Sequence, residues 1–236
     1  MKKFLISVFV LLVVFSCAVP TFAAPAQPGD GALIPVTPTF PSDKVYLANR
    51  TGINPDNLYE NNNHVYLSKN EAGRIAEDLL NTNFVNTSIL PVFEASSSTD
   101  GFVAVVSMLV SGKNLLAKKP NEINLIGMVS VSTGKLFEYV NSSANFGDKK
   151  FTLRSGGEIY NGEIDPNVDY ELVAFIKDGG EFDLDKIVNG KVISIIFLAS
   201  KESIIDDDCK FGCNASYGFF ALALLGVLPF VLKKGK

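Results

Sequence analysis

One segment of the sequence, from Asp178 to Gly190, concentrates side chains that could do chemistry. Its candidate ligands are four carboxylates and one amide oxygen, contributed by Asp178, Glu181, Asp183, Asp185 and Asn189. Carboxylate and carbonyl oxygens are the ligands that Ca²⁺ takes in proteins. The segment therefore predicts a weak Ca²⁺ site, and no other metal or cofactor is expected.

Two features of this segment limit the calcium hypothesis. Asp183 and Asp185 have the alternate spacing of a calcium loop, but Ile187 stands where an EF-hand requires Asp or Asn. The segment is therefore not an EF-hand. The alternative is a solvated, flexible turn in which Gly179 and Gly180 supply positive φ angles. Both interpretations remain open from the sequence.

Catalytic motifs are absent from the sequence. The single histidine, His64, lies in a polar turn, where a surface or hydrogen-bonded histidine is expected. There is no zinc helix, no nucleophile elbow and no P-loop, and no cysteine for Cys–His chemistry lies between Cys17 and Cys209. Paired carboxylates could serve a glycosidase, but nothing in the sequence places two of them across a cleft. We therefore expect a protein without enzymatic activity.

The aromatic residues leave a binding function open. The chain has no tryptophan, and tryptophan is the usual sugar-stacking residue, so a carbohydrate-binding surface is not favoured. Tyrosines could replace it or belong to the core. The candidates are Tyr46, Tyr59, Tyr66, Tyr139, Tyr160 and Tyr170.

The elements that must position these residues are one helix and many strands. A capping box from Ser68 to Glu71, followed by apolar residues at helical spacing, predicts an amphipathic helix over residues 68–82. Runs of β-branched and aromatic residues predict the strands, with a hairpin turn at Thr133 and Gly134. The strands are expected at residues 89–93, 102–110, 123–131, 136–140, 150–153, 170–176 and 191–199. Strands without intervening helices predict an antiparallel, mainly β sandwich.

One stretch of the body carries a more specific resemblance. Pro166 precedes Tyr170, which opens an apolar strand, and this pattern is similar to the tyrosine corner of fibronectin type III and other immunoglobulin-like domains. The resemblance implies that the Tyr170 hydroxyl bonds to the backbone just upstream. It also implies that Tyr170 begins the F strand, that residues 178–189 form the F–G loop, and that residues 191–199 form the last strand.

The N-terminus has the features of a secretory signal. Lys2 and Lys3 precede an apolar stretch over residues 4–15, and small residues follow up to Ala23. Cleavage after Ala23 is expected. The alternative is lipoprotein processing at Cys17, for which Phe15 is too bulky a neighbour.

The C-terminal tail supplies a matching sorting signal. Gly212, Cys213 and Asn214 precede an apolar run over residues 219–232 and three terminal lysines. This layout resembles the Synerg-CTERM sorting domain of bacteria, which implies processing or lipidation at Cys213 and a sorting protease in the membrane as partner. The run is shorter than the ~20 residues of a spanning helix, although an ordinary hydrophobic anchor remains the alternative.

The chain between the two targeting segments is more acidic than the whole sequence. Without Lys2, Lys3, Lys233, Lys234 and Lys236, 16 of the 21 basic residues remain against 25 acidic ones, which gives a net charge of −9. An acidic body disfavours nucleic acid as a partner. The predicted divisions are a signal peptide (1–23), a Pro-rich linker (24–43), a helix-containing part (44–84), a β-sandwich (85–200), an acidic spacer (201–211) and the tail (212–236).

These observations favour a non-enzymatic protein of the cell envelope or surface. Its expected partners are the secretion machinery, signal peptidase and the membrane that holds the tail. The first alternative is an exported ligand- or glycan-binding module, which an exposed aromatic platform or a concave groove would favour. The second is an unrecognised hydrolase, which a buried carboxylate pair in a cleft would favour.

Overall fold

The computed structural model describes residues 31–83 and 85–201, and its fold is mainly β, with several antiparallel sheets. The predicted processing and sorting residues Ala23, Gly212, Cys213 and Asn214 lie outside these described residues, and so do the two further helices that we predict, an N-terminal signal helix and a C-terminal hydrophobic helix. Within the described ranges, no helix is both long and apolar enough to span a bilayer.

Two helices and fourteen strands follow one another along the described chain. In chain order they are β1 (Leu33–Val36), α1 (Lys44–Thr51), β2 (Leu58–Asn61), β3 (His64–Leu67), α2 (Lys69–Leu80), β4 (Asn86–Ile89), β5 (Phe93–Ser96), β6 (Val103–Ser111), β7 (Asn124–Met128), β8 (Gly134–Leu136), β9 (Glu138–Tyr139), β10 (Lys150–Ser155), β11 (Glu158–Ile159), β12 (Asp169–Lys177), β13 (Lys191–Ser194) and β14 (Ile196–Ser200). Short 3₁₀ turns occupy Pro55–Asn57, Gly112–Leu115, Pro120–Glu122 and Ser143–Asn145.

The strands form two main sheets. The large sheet has the order β1-β6-β12-β10-β11, with β9 also pairing with β10, and its centre is the long antiparallel pair of β6 and β12. The second sheet has the order β4-β14-β7-β8 and is antiparallel throughout. Two further antiparallel pairs are β5 with β13 and β2 with β3.

Two buried clusters lie on the two faces of the second sheet, and a further one belongs to the large sheet. One face shares a buried cluster with the large sheet, in which Val106 and Leu172 of the large sheet accompany Leu198 of the second. The opposite face packs against the helices, with Phe197 of the sheet and Ile75 of α2 in one cluster. Alternate side chains along the strands of the second sheet therefore pack against the large sheet on one face and against the helices on the other. The helices form an outer layer.

Helix α2 confirms the amphipathic helix expected over residues 68–82. The Ser68 hydroxyl accepts a hydrogen bond from the Glu71 amide at 3.3 Å, which is the first half of a capping box. The second half is replaced, because the Ser68 amide donates to the Asn57 carbonyl (2.7 Å) and the Glu71 carboxylate accepts from Arg74. The cap is thus tied to the turn before the β2–β3 hairpin.

The part before this helix is more structured than the sequence indicated. The linker prediction for residues 24–43 is wrong over residues 31–43, because β1 pairs in parallel with β6 and Asp43 caps α1. Pro35 is accommodated because β1 is an edge strand, where a missing N–H costs no internal ladder bond. Helix α1 was missed, although Asp43 accepts bonds from the Val45 and Tyr46 amides in the usual N-cap geometry.

The last predicted strand and the loop before it also differ from expectation. Residues 191–199 form two strands interrupted at Ile195, and these belong to different sheets. The assignment of residues 178–189 as an F–G hairpin loop is therefore wrong, because β12 pairs with β6 and β10 while β13 pairs with β5. The segment instead connects one sheet to another. The hairpin turn before Gly134 is confirmed by the pairing of β7 with β8.

The predicted corner contact is present at the start of β12. The Tyr170 hydroxyl accepts a hydrogen bond from the Asp165 amide at 2.9 Å, and the ring is buried. The neighbouring Pro166 carbonyl accepts from the Lys113 amide (3.2 Å) and the Ser111 hydroxyl (3.4 Å). These bonds fasten the loop before β12 to the end of β6.

Candidate functional site

The acidic segment between β12 and β13 is organised by a buried carboxylate. Asp178 is fully buried, and its two oxygens accept hydrogen bonds from the amides of Gly101 (2.7 Å), Gly190 (2.9 Å) and Asn189 (3.2 Å). Gly190 has a φ of 73°, and a Cβ there would lie 2.6 Å from the Ser97 carbonyl oxygen. Asp178 therefore fixes a close approach between this segment and the turn that precedes β6.

A second buried carboxylate lies further along the same segment. Asp183 accepts hydrogen bonds from the Gly179 amide (2.8 Å) and the Ile193 amide (3.0 Å), and it is fully buried. Burial raises the pKa of Asp183 to about 6, although the two amides act in the opposite direction. The carboxylates of Asp185 and Asp178 add to the increase.

The remaining two carboxylates have cationic partners. Asp185 forms an ion pair with Arg50 of α1 at 3.0 Å and also accepts from the Asn189 side-chain amide. Glu181 pairs with Lys135 and with Lys149, and these two lysines hold its pKa below the usual range. The segment is thus connected to α1 and to the second sheet through its charges.

The five predicted calcium ligands are therefore not arranged as a metal cage. Each carboxylate of the segment has N–H or ammonium partners, and Asn189 donates its side-chain amide to Asp185. In residues 31–83 and 85–201, no group of three or more His, Cys, Asp and Glu side chains has a geometry that could hold a metal ion. The calcium site stays a prediction, without support from the geometry.

An aromatic row on the surface is a second candidate site. The row consists of Phe40, His64, Tyr66 and Tyr59, with ring centroids 5.0, 6.5 and 5.2 Å apart in that order. Phe40 and Tyr59 at its two ends are each 36% exposed. The end rings therefore offer apolar surface to a ligand, whereas the inner rings mainly support one another.

The β2–β3 hairpin positions three of these four rings. Tyr59 and Tyr66 are directly opposite in register, and His64 lies two residues before Tyr66 on the same face. The other face buries Leu58, Val65 and Leu67. Alternation along the strands thus places the aromatic side chains outward, because the apolar side chains of the same strands are needed by the core.

An apolar groove begins beside Phe40. Its volume is about 290 Å³, and its lining contains no charged residue. The lining residues are Thr37, Pro38, Phe40, Leu90, Pro91, Ser107, Met108 and Leu109. Leu109 is 74% exposed, which is high for a large apolar side chain. The groove shares Phe40 with the aromatic row, so the two features adjoin.

Sequence reasoning found only part of this surface. Tyr59 and Tyr66 were candidates, whereas Tyr170 is in the core and Tyr46 lies on α1, where its hydroxyl accepts from Arg50 at 3.0 Å. The contribution of Phe40 was missed, because nothing local connects it with His64, 24 residues later. The alternation of aromatic and aliphatic residues from His64 to Leu67 was the available signal.

Comparison of the chain with protein-family models, with curated proteins and with solved structures gave no match.

Proposed function

We propose that this chain is a non-enzymatic protein of the bacterial cell envelope, exported through its N-terminus and sorted through its C-terminal tail. The observation that carries the proposal is the pairing of a signal-like start, ending at Ala23, with a tail of glycine, cysteine, apolar and basic residues. The secretion machinery and signal peptidase act on the N-terminal signal. The C-terminal tail enters the membrane, where a sorting protease acts on it around Cys213.

Intact-mass analysis of the protein from its native cell envelope tests this proposal. The mature chain should begin at Ala24 and should be cut or modified at Gly212-Cys213. Cys213→Ser should abolish the cut or modification and reduce retention in the envelope, and Cys209→Ser is the matched control that should leave processing and retention unchanged. A chain that begins at Cys17 with a diacylglyceryl group, or a tail indifferent to Cys213→Ser, would contradict the respective half of the proposal.

We also propose that the two main sheets form a β-sandwich related to immunoglobulin-like domains. The buried cluster between the sheets and the Tyr170 corner support this relation. The neighbours of β12 are β6 and β10, whereas β13, the strand after the acidic segment, pairs with β5 in a separate two-stranded sheet. The relation therefore concerns the layers and the corner, and the strand order is different.

A second candidate function is binding of a glycan or another ligand, and the aromatic row is the observation that favours it. Because the chain lacks tryptophan, its tyrosine fluorescence can be followed directly. Titration with cellohexaose and chitohexaose should change this fluorescence saturably, and Tyr59→Ala should weaken the response. Tyr46→Ala is the control, since Tyr46 is similarly exposed but lies outside the row. Unchanged fluorescence with both sugars would remove the glycan from consideration.

A further inference from the structure

Strand β6 is paired along its whole length on one side only. Its antiparallel register with β12 runs from Val103 to Ser111. On the other side, the register with β1 ends where Val36 pairs with Val106. After Val36 the chain leaves the sheet, and Thr39 pairs with Glu94 of β5 instead. On the side of β1, the second half of β6 thus has no paired strand among the described residues.

The backbone of this open half is available for hydrogen bonding. In a strand, the N–H and C=O of alternate residues point to opposite neighbours. The Val103 amide donates to the Ala32 carbonyl at 2.9 Å, on the side of β1. Counting in steps of two along the strand, the N–H and C=O of Leu109 point to the same side, beyond the end of β1.

The apolar groove lies beside this open edge. Met108 and Leu109 of β6 line it together with Pro38, Phe40 and Pro91. The lining carries no charge, so a charged segment would lose hydration here without gaining a partner. The groove therefore suits an extended chain with small or apolar uncharged side chains.

The edge also lacks the devices that usually prevent strand addition. Edge strands are commonly protected by proline, by charged side chains or by being very short. In this sheet, β1 contains Pro35 and β11 has only two residues. The open stretch of β6 contains neither proline nor charge, and it exposes Leu109 instead.

We propose that the open half of β6 and its groove receive an extended, uncharged segment of a partner polypeptide as an added strand. A strand is the expected occupant because β1 already pairs with the same edge of β6 immediately before the groove. Main-chain hydrogen bonds would supply affinity, and alternate side chains of the segment would enter the groove. This inference does not depend on export or on glycan binding.

The test uses the full-length chain in detergent micelles and a defined probe. The probe is a short peptide of alternating threonine and valine, amidated at its C-terminus and labelled with fluorescein at its N-terminus, and its binding is followed by fluorescence anisotropy. We expect saturable binding and slower hydrogen exchange at the Leu109 amide. The same peptide with proline at two adjacent central positions lacks a required N–H whichever edge faces β6, and it should not bind.

One substitution and one control separate this edge from the rest of the surface. Leu109→Lys places a charge on the open edge and should weaken binding about tenfold or more. Because Leu109 is exposed, the fold should be retained. Val131→Lys, at an exposed apolar residue of the β7–β8 turn, should bind normally. Absence of binding, unchanged exchange at Leu109, or a chain that dimerises through this edge in sedimentation would each overturn the proposal.

Discussion

The buried carboxylate of Asp178 should be one of the largest single contributors to the stability of this fold. Asp178→Ala removes the acceptor of three amides, those of Gly101, Asn189 and Gly190. A buried donor left without a partner costs about 1–3 kcal/mol, and an exposed donor costs less because water replaces the carboxylate. Gly190 is buried, Gly101 is half-buried and the Asn189 residue is exposed. The expected loss is therefore about 4 kcal/mol in the free energy of unfolding.

Urea unfolding followed by circular dichroism measures this loss. With a slope of about 2 kcal/mol per molar urea, the midpoint should fall by about 2 M. Asp178→Asn keeps one acceptor oxygen and should lose about half as much. Asp169→Ala, at an exposed aspartate that begins β12, is the control and should stay within about 0.5 kcal/mol of the wild type. A loss below about 1 kcal/mol for Asp178→Ala would refute the argument, because the three amides would then be satisfied without the carboxylate.

Three further outcomes are expected. Burial raises the pKa of Asp183 to about 6, so the folded state binds a proton more tightly than the unfolded state. Protonation of this group should therefore add up to about 3 kcal/mol to the free energy of unfolding as the pH falls from 7 through 6 towards 4. Urea unfolding across this range checks it, and Asp183→Asn, which cannot titrate, should show a flatter pH dependence. Tyr170→Phe removes only the bond to the Asp165 amide and should cost about 1 kcal/mol in the same assay, whereas an unchanged midpoint would mean that the corner bond is not needed. Millimolar Ca²⁺ should leave the melting temperature unchanged, because the carboxylates of the acidic segment already have donors. An increase that Asp183→Asn with Asp185→Asn abolishes would support the calcium site.

Local signals in the sequence were sufficient for several elements. Helix α2 was predicted because its cap and its apolar spacing lie within one continuous stretch. The long strands β6 and β12 were predicted for the same reason. Strand β1 was not, since only its parallel pairing with β6, about 70 residues away, makes an extended Pro-rich stretch into a strand.

The candidate sites show the same limit. The acidic residues were recognised by type, but their role depends on amide donors that the sequence does not reveal. The Gly101 amide is 77 residues from Asp178, and its approach is set by the turn before β6. The interruption at Ile195 was equally hidden, because an unbroken apolar run contains no mark of the point at which it changes sheets.

The position of β14 determines when the second sheet can form. This strand comes last in the described chain, yet it lies between β4 and β7 in the sheet. Until residues 196–200 have left the ribosome, β4 and β7 have nothing to join them, and the cores on both faces of the sheet stay incomplete. Long-range pairing of this kind also folds slowly. The described part of the chain is thereby kept open until its last strand is available for pairing.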